Sequence, residues 1–294
     1  MKETILWRIL GNDIPDRHSP TQTADCLKWI LERESIFPYC TKRFLLNRIV
    51  DAKKNATLKD MLMDYGADFT EIPFVPQEYA KLEPNDRGSY LTNQAGAKNF
   101  CIEWGFENEF DFVMPYNGQI FIRDDGWEGW QQRTHEDYGT HNSDKAAFLA
   151  HRVFRVEGNE VTSDASNDPA YGESWKDVRS GMDIFVPQSE PQIAFGHNSD
   201  IRYREQPYGY SHVDLLCRLG VHGIWDRIDP DRTRESVENK SKYFQKIVGA
   251  GFCFRLESGN PEADRDGYIR IAARQSGLCK LVESTNESYV GVEI

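Results

Sequence analysis

The chain has 294 residues, 39% hydrophobic and 28% charged, a globular composition that excludes a disordered or collagen-like chain. Its 35 basic and 47 acidic residues give a net charge of −12, which argues against a broad nucleic-acid or anionic-membrane footprint. Residues 1–60 are the exception, with 11 Lys and Arg against 8 Asp and Glu; this mild excess suits an anionic small molecule, and solvated helix faces explain it equally well.

In chain order, TILWRIL (4–10) reads as a buried strand stopped at Gly11-Asn12-Asp13. Ser19-Pro20-Thr21-Gln22 carries a helix-start signature: serine caps, proline fills the first turn and Gln22 closes a capping box. Ala24, Leu27, Ile30 and Leu31 follow at helical spacing. Residues 43–50 form a second strand. Leu58, Met61, Leu62 and Tyr65 share one face of a helix over 56–65, ended by Gly66. Residues 68–74 form a third strand, placed at an edge by Pro73. A helix over 90–104 and a strand over 111–116 follow. Beyond residue 120 come a strand over 145–156, a polar excursion or lid over 157–180 and strands near 183–187 and 191–195. Helices at 210–219 and 233–248, a strand near 252–257 and a helix at 261–275 close the chain.

The alternation predicts an α/β fold, a mostly parallel twisted sheet flanked by helices. The reading is one domain, Rossmann-like in residues 1–120 and mixed in 121–294. Ligands on such sheets bind beyond the carboxyl ends of the strands. The segments landing there are 11–13, 47–51, the loop through Arg87 and 117–119.

Several motifs are absent. No GxGxxG follows the first strand, and there is no GxxxxGK[ST], GxSxG or HExxH. The six cysteines form no CxxC pair, which excludes a zinc ribbon, and reduced thiols packed in the core are expected. No apolar run approaches the ~20 residues of a membrane span. The polar start does not suit a signal peptide, so a cytoplasmic protein is expected.

Two stretches carry a resemblance. GSYLTNQAGAKNFCIEWG (88–105) with FDFVMPYNGQ (110–119) resembles the heart of GT-A-fold glycosyltransferases, in which a helix with small residues and an Arg/Lys-Asn pair precedes a strand ending in an acidic DxD turn. YGYSHVDLLCRLG (208–220) is similar to the acidic helix start that supplies the catalytic base of inverting members. The resemblance implies transfer of a sugar from a nucleoside diphosphate sugar to an acceptor hydroxyl, with Asp214 as base and His212 orienting or replacing it. It places Gly11, Asn12, Asp13, Arg48, Arg87, Asn93, Lys98, Asn117 and Gln119 around the nucleotide sugar. Trp127 and Trp130 form an acceptor wall, or else core tryptophans at i, i+3.

The chain departs from that pattern at the metal turn. Asn117-Gly118-Gln119 holds no carboxylate, and amide oxygens are poor replacements around Mg²⁺ or Mn²⁺. Either the reaction is metal-independent, Asp124 and Asp125 supply the charge, or catalysis is lost. A charged Arg48 inside an apolar strand needs a partner, for which Asp51 and Glu71 are the candidates. The implied acceptor is a glycan or, second, a hydroxymethylated base in viral DNA. A non-catalytic sugar-nucleotide or glycan-binding module and a nucleotidyltransferase are the alternatives. The sequence does not give the oligomeric state.

Overall fold

The computed structural model describes residues 3–140, 147–155, 190–197, 199–206, 210–219, 247–256, 258–260, 262 and 267–290. Its elements run β1 (Thr4–Leu10), α1 (Gln22–Arg33), β2 (Cys40–Asn47), α2 (Ala52–Asp64), β3 (Phe69–Ile72), α3 (Pro76–Ala80), α4 (Pro84–Thr92), α5 (Gln94–Glu107), β4 (Phe112–Asn117) and β5 (Ile120–Phe121). They continue with α6 (Asp124–Thr140), β6 (Phe148–Arg155), β7 (Gln192–Gly196), α7 (Ser211–Arg218), β8 (Ile247–Arg255) and α8 (Gly267–Tyr289).

The described strands join in one sheet of order β3-β2-β1-β4-β7-β6-β8-β5. β1 lies between β2 and β4, parallel to both, and β3 extends the parallel set beyond β2. β7 then runs antiparallel between β4 and β6, β8 is parallel to β6, and β5 closes the far edge antiparallel. The protein is therefore α/β, with a mostly parallel mixed sheet flanked by helices. Successive strand residues face opposite sides. Ile5 and Trp7 pack with Ala97, Cys101 and Ile102 of α5 and Leu215 and Leu216 of α7. Leu6 packs with Trp127 and Trp130 of α6, and Leu10 with Leu27 of α1 and Leu58 of α2. Gly118 lets the chain leave β4 against β1: a Cβ there would lie 2.6 Å from Leu10 and 3.0 Å from the Ile9 carbonyl oxygen.

The four strands and two helices expected over 1–95 and 111–117 appear in order, whereas α3 and β5 are additional to that reading and several boundaries differ. No capping box starts α1: Thr21 makes no side-chain cap bond, and Asp13 receives the Thr23 N–H at 3.0 Å instead. The helix expected over 90–104 is two helices, α4 and α5, broken at Asn93, which sits in the left-handed region at φ 40°. Ile247 and Val248 belong to β8, not to a helix. The last helix runs to Tyr289, because Leu281, Val282 and Tyr289 pack around Tyr79 and Tyr90. The expected lid at 157–180, the strand near 183–187 and residues 233–246 lie outside the described residues. Cys26, Cys40, Cys101, Cys253 and Cys279 are free thiols. No helix among the described residues is long and apolar enough to cross a membrane.

Two buried histidines set an acid limit on this fold. His151 and His212 are 0% and 6% exposed, and burial holds both down to about 3 from an ordinary 6.5. Each stays neutral in the fold but takes a proton in the unfolded chain below pH 6.5. The unfolded state then binds more protons, so stability falls as pH drops from 6.5 towards 3. With both histidines fully protonated on unfolding the loss approaches about 2.7 kcal/mol per pH unit. Urea unfolding between pH 7 and pH 5 should show this slope, and His151→Leu should halve it. A flat profile would contradict the burial of these rings.

Candidate functional site at the carboxyl edge of the sheet

The loops after β1 and β2 close on each other through Asn12. Its amide donates to the Arg48 carbonyl at 2.8 Å and the Leu91 carbonyl at 3.1 Å, and its oxygen accepts the Val50 N–H at 2.9 Å. Both of its donors and one of its two acceptor positions fasten the edge together. Asp13 is spent likewise, on Thr23 and on the Lys54 ammonium at 2.6 Å. Gly11 has open space where a side chain would stand. Asn117 ends β4 beside Ile9, so it shares this edge with Asn12 and Arg48.

Arg48 carries strain. Its backbone sits at φ 46°, outside the strand, with its N–H on the Ile72 carbonyl at 2.8 Å. Neither expected partner holds it. Asp51 caps α2 through Lys53 and Lys54, and Glu71 binds Lys59 and Asn55. The guanidinium instead lies 3.8 Å over the Tyr90 ring and donates to the Tyr90 carbonyl at 3.0 Å.

α5 leads into β4, so its N-terminus opens at the same edge. Asn93 precedes it and donates to Asn47 Oδ1 at 2.7 Å. One turn further on, Lys98 is 1% exposed and its ammonium has no hydrogen-bond partner. The Tyr203 ring is 4.8 Å away. Burial, then the charges of Arg255 and Arg274, pull Lys98 down to about 7, against the opposing pull of Glu190. Arg255 ends β8, 6% exposed, with its Nη1 3.8 Å from Glu190 and its Nε unpartnered. Arg274 of α8 lies 6.0 Å from the Tyr210 ring. The Gln94 Oε1 and Ser211 Oγ atoms, at the starts of α5 and α7, are also buried without partners. Buried polar atoms are normally satisfied. Here four unsatisfied ones, from Gln94, Lys98, Ser211 and Arg255, belong to residues of one edge.

α7 places its acid elsewhere than expected. Asp214 is 6% exposed, with Arg218 Nε 2.8 Å from one oxygen and Arg204 Nη2 3.1 Å from the other. Both oxygens are engaged by guanidinium groups, the arrangement of a structural ion pair. His212 is engaged at both ring nitrogens, by the Pro191 carbonyl at 2.7 Å and the Tyr203 hydroxyl at 3.3 Å, and burial keeps it neutral. Glu205 is the open acid. Burial of its carboxyl group raises its pKa, while the Ala95 and Gln206 N–H groups and the Arg48 charge pull the other way. The Ala95 bond sets this carboxylate at the N-terminus of α5.

Other expected residues fall outside the cluster. Arg87 donates to the Leu82 carbonyl and to Asn286 of α8, so it ties α4 to the C-terminal helix rather than facing a diphosphate. Gln119 accepts from Gln22 at 3.1 Å and lies beside the strand end. Trp127 and Trp130 are core residues, 2% and 1% exposed and packed on Phe37 and Phe112; an acceptor wall must reach solvent, and these do not. Asp125 is paired with Arg123, and Asp124 accepts from Ser35 at 3.2 Å. No group of three His, Cys, Asp or Glu side chains suited to a metal occurs among the described residues.

Glu190, Glu205, Arg255 and Arg274 were not legible as site residues. They come from four separate segments, and only the sheet order brings them to one edge. No family model matches the chain, and no curated protein matches it.

Proposed function

We propose that the protein is a GT-A-type glycosyltransferase that holds a nucleoside diphosphate sugar at the carboxyl edge of β1, β2 and β4. The observation that carries this reading is the buried, unpartnered Lys98 ammonium set among Arg255 and Arg274, with Glu190 the one carboxylate among the charges acting on it. A diphosphate leaving group gathers negative charge as the sugar departs, and fixed cations beside it lower that barrier. The parallel order β3-β2-β1-β4 brings the carboxyl ends of these strands to one edge, where ligands on such sheets bind. The Asn117–Gln119 turn, with amides and no carboxylate, does not fit Mg²⁺ or Mn²⁺. The cations take that role here, and Asn117 is left to hydrogen-bond the donor.

Glu205 fits the base better than Asp214. A base must keep a lone pair for the acceptor proton and come within about 3 Å of it. Asp214 lends both oxygens to arginines, whereas the Glu205 carboxylate accepts backbone N–H bonds at the edge itself. The acceptor is a glycan hydroxyl, with the hydroxymethylated DNA base second. A non-catalytic binding module is the second reading, favoured by the missing carboxylates at 117–119.

Calorimetry against nucleoside diphosphate sugars, with and without Mn²⁺, tests the donor site. Binding of at least one donor without added metal is expected, and binding of none ends the reading. With that donor, Glu205→Gln should lower turnover about 10²–10⁴-fold while donor affinity holds. Asp214→Asn should chiefly lower the melting temperature. Turnover lost in Asp214→Asn at unchanged stability would return the base role to Asp214. Binding without any transfer or hydrolysis would favour the module.

A further inference from the structure

The groups around Lys98 can be named from every element that acts on it. Arg255 comes from β8, Arg274 from α8 and Glu190 from the segment before β7. Cys101 lies along α5 itself, Tyr203 stacks against the ammonium, and His212 of α7 feels its charge. Burial keeps the Cys101 thiol, the Tyr203 hydroxyl and the His212 ring in their neutral forms. Two guanidinium groups, charged throughout, therefore stand against one carboxylate.

A third positive charge enclosed there has no hydrogen bond to lower its energy and two like charges to raise it. Releasing a proton relieves both. An arriving dianion reverses the balance: it supplies acceptors for the ammonium and offsets the guanidinium charges.

We propose that Lys98 is a proton-coupled anion anchor: above neutral pH it is neutral while the edge is empty and protonated when a phosphate- or diphosphate-type anion binds. Binding of the anion then takes up one proton. This rests on the reading of the edge as a diphosphate site and adds how that site pays for its buried cation. The pull of burial on Lys98, down to about 7, places the coupling just above neutral pH.

Sulfate is the probe, because it remains a dianion between pH 6 and pH 9 and any proton taken up belongs to the protein. Its dissociation constant should be flat below pH 7 and rise about tenfold per pH unit above it. A weakly buffered solution at pH 8.5 should show uptake of close to one proton per sulfate bound. Lys98→Arg, whose guanidinium stays charged, should bind sulfate with no pH slope and no uptake. Lys98→Met should fold and not bind. Wild-type binding that is flat with pH and takes up no proton overturns the proposal and leaves the donor site standing. A Lys98→Arg variant with the wild-type slope also overturns it, since another group would be titrating. Failure of the wild type to bind sulfate and every nucleoside diphosphate sugar overturns both.

Discussion

Lys98→Met should make the free protein more stable. The substitution replaces an enclosed ammonium, 1% exposed and without a hydrogen-bond partner, by an apolar chain of similar length. Removing an uncompensated buried charge in this way is commonly stabilising. The pH dependence identifies the cause. Lysine in the unfolded chain holds its proton up to 10.5, whereas Lys98 in the fold releases it near 7. The unfolded state binds more protons in that window, so wild-type stability rises with pH from 7 to 10.5. The penalty is fully present below pH 7 and gone above 10.5. Each tenfold change in proton affinity is worth about 1.4 kcal/mol, which puts the penalty at roughly 3–5 kcal/mol. Denaturant unfolding at pH 6.5 and pH 10 should show a large gap between variant and wild type at the lower pH and a small one at the higher. Equal stability at pH 6.5 would mean that the ammonium has company in the free protein. A stabilising loss of a lysine is the expected mark of a residue kept for binding.

Glu34→Ala should have the opposite effect. Glu34 follows α1 and receives the Arg8 guanidinium at 2.6 Å, the Lys42 ammonium at 2.8 Å and the Ile122 N–H at 2.8 Å. The Arg8 and Glu34 side chains, from β1 and the end of α1, are each 2% exposed. Arg8 already leaves Nε and Nη1 unpaired. Without the carboxylate a buried guanidinium keeps no counter-ion, which costs roughly 3–5 kcal/mol. The Ile122 N–H loses its acceptor as well, which adds to the cost. Urea unfolding at pH 7 measures the loss. Arg8→Met combined with Glu34→Leu should recover most of it, because the pair then leaves the core together. A loss below about 1 kcal/mol in Glu34→Ala would show that solvent reaches Arg8.

The two substitutions separate what each ion serves. Arg8 and Glu34 neutralise each other within the fold, so breaking them harms stability. Among the described residues the Lys98 ammonium has no hydrogen-bond partner and Glu190 is the one carboxylate acting on it, so deleting it is expected to relieve the fold and, on the proposed reading, to harm binding. Arg48, strained at φ 46° beside Tyr90, stands between these cases: its guanidinium rests on the Tyr90 ring and carbonyl, and its charge acts on Glu205.

Local pattern determined the four parallel strands and the first two helices of residues 1–120, but not α3 or the break between α4 and α5. TILWRIL and FVMPYN are apolar runs that become strands buried on both faces, and the helical spacing of Leu58 and Leu62 puts both on the buried face of α2. The alternation of strand and helix determined a largely parallel sheet and pointed to its carboxyl edge, where the ligand is proposed to bind. Tertiary structure decided the rest. Whether Asp214 faces a cleft or two arginines depends on Arg204, ten residues upstream, and Arg218, one turn along the helix, folding onto it. Trp127 and Trp130 have the spacing of either a wall or a core, and only the packing of Phe37 and Phe112 chose the core. Lys98 was visible as a cation, but its value as a ligand group comes from enclosure and from Arg255 and Arg274, more than 150 residues away. Hydrophobic periodicity is written in neighbouring residues, whereas desolvation and ion pairing depend on distances that no local pattern contains.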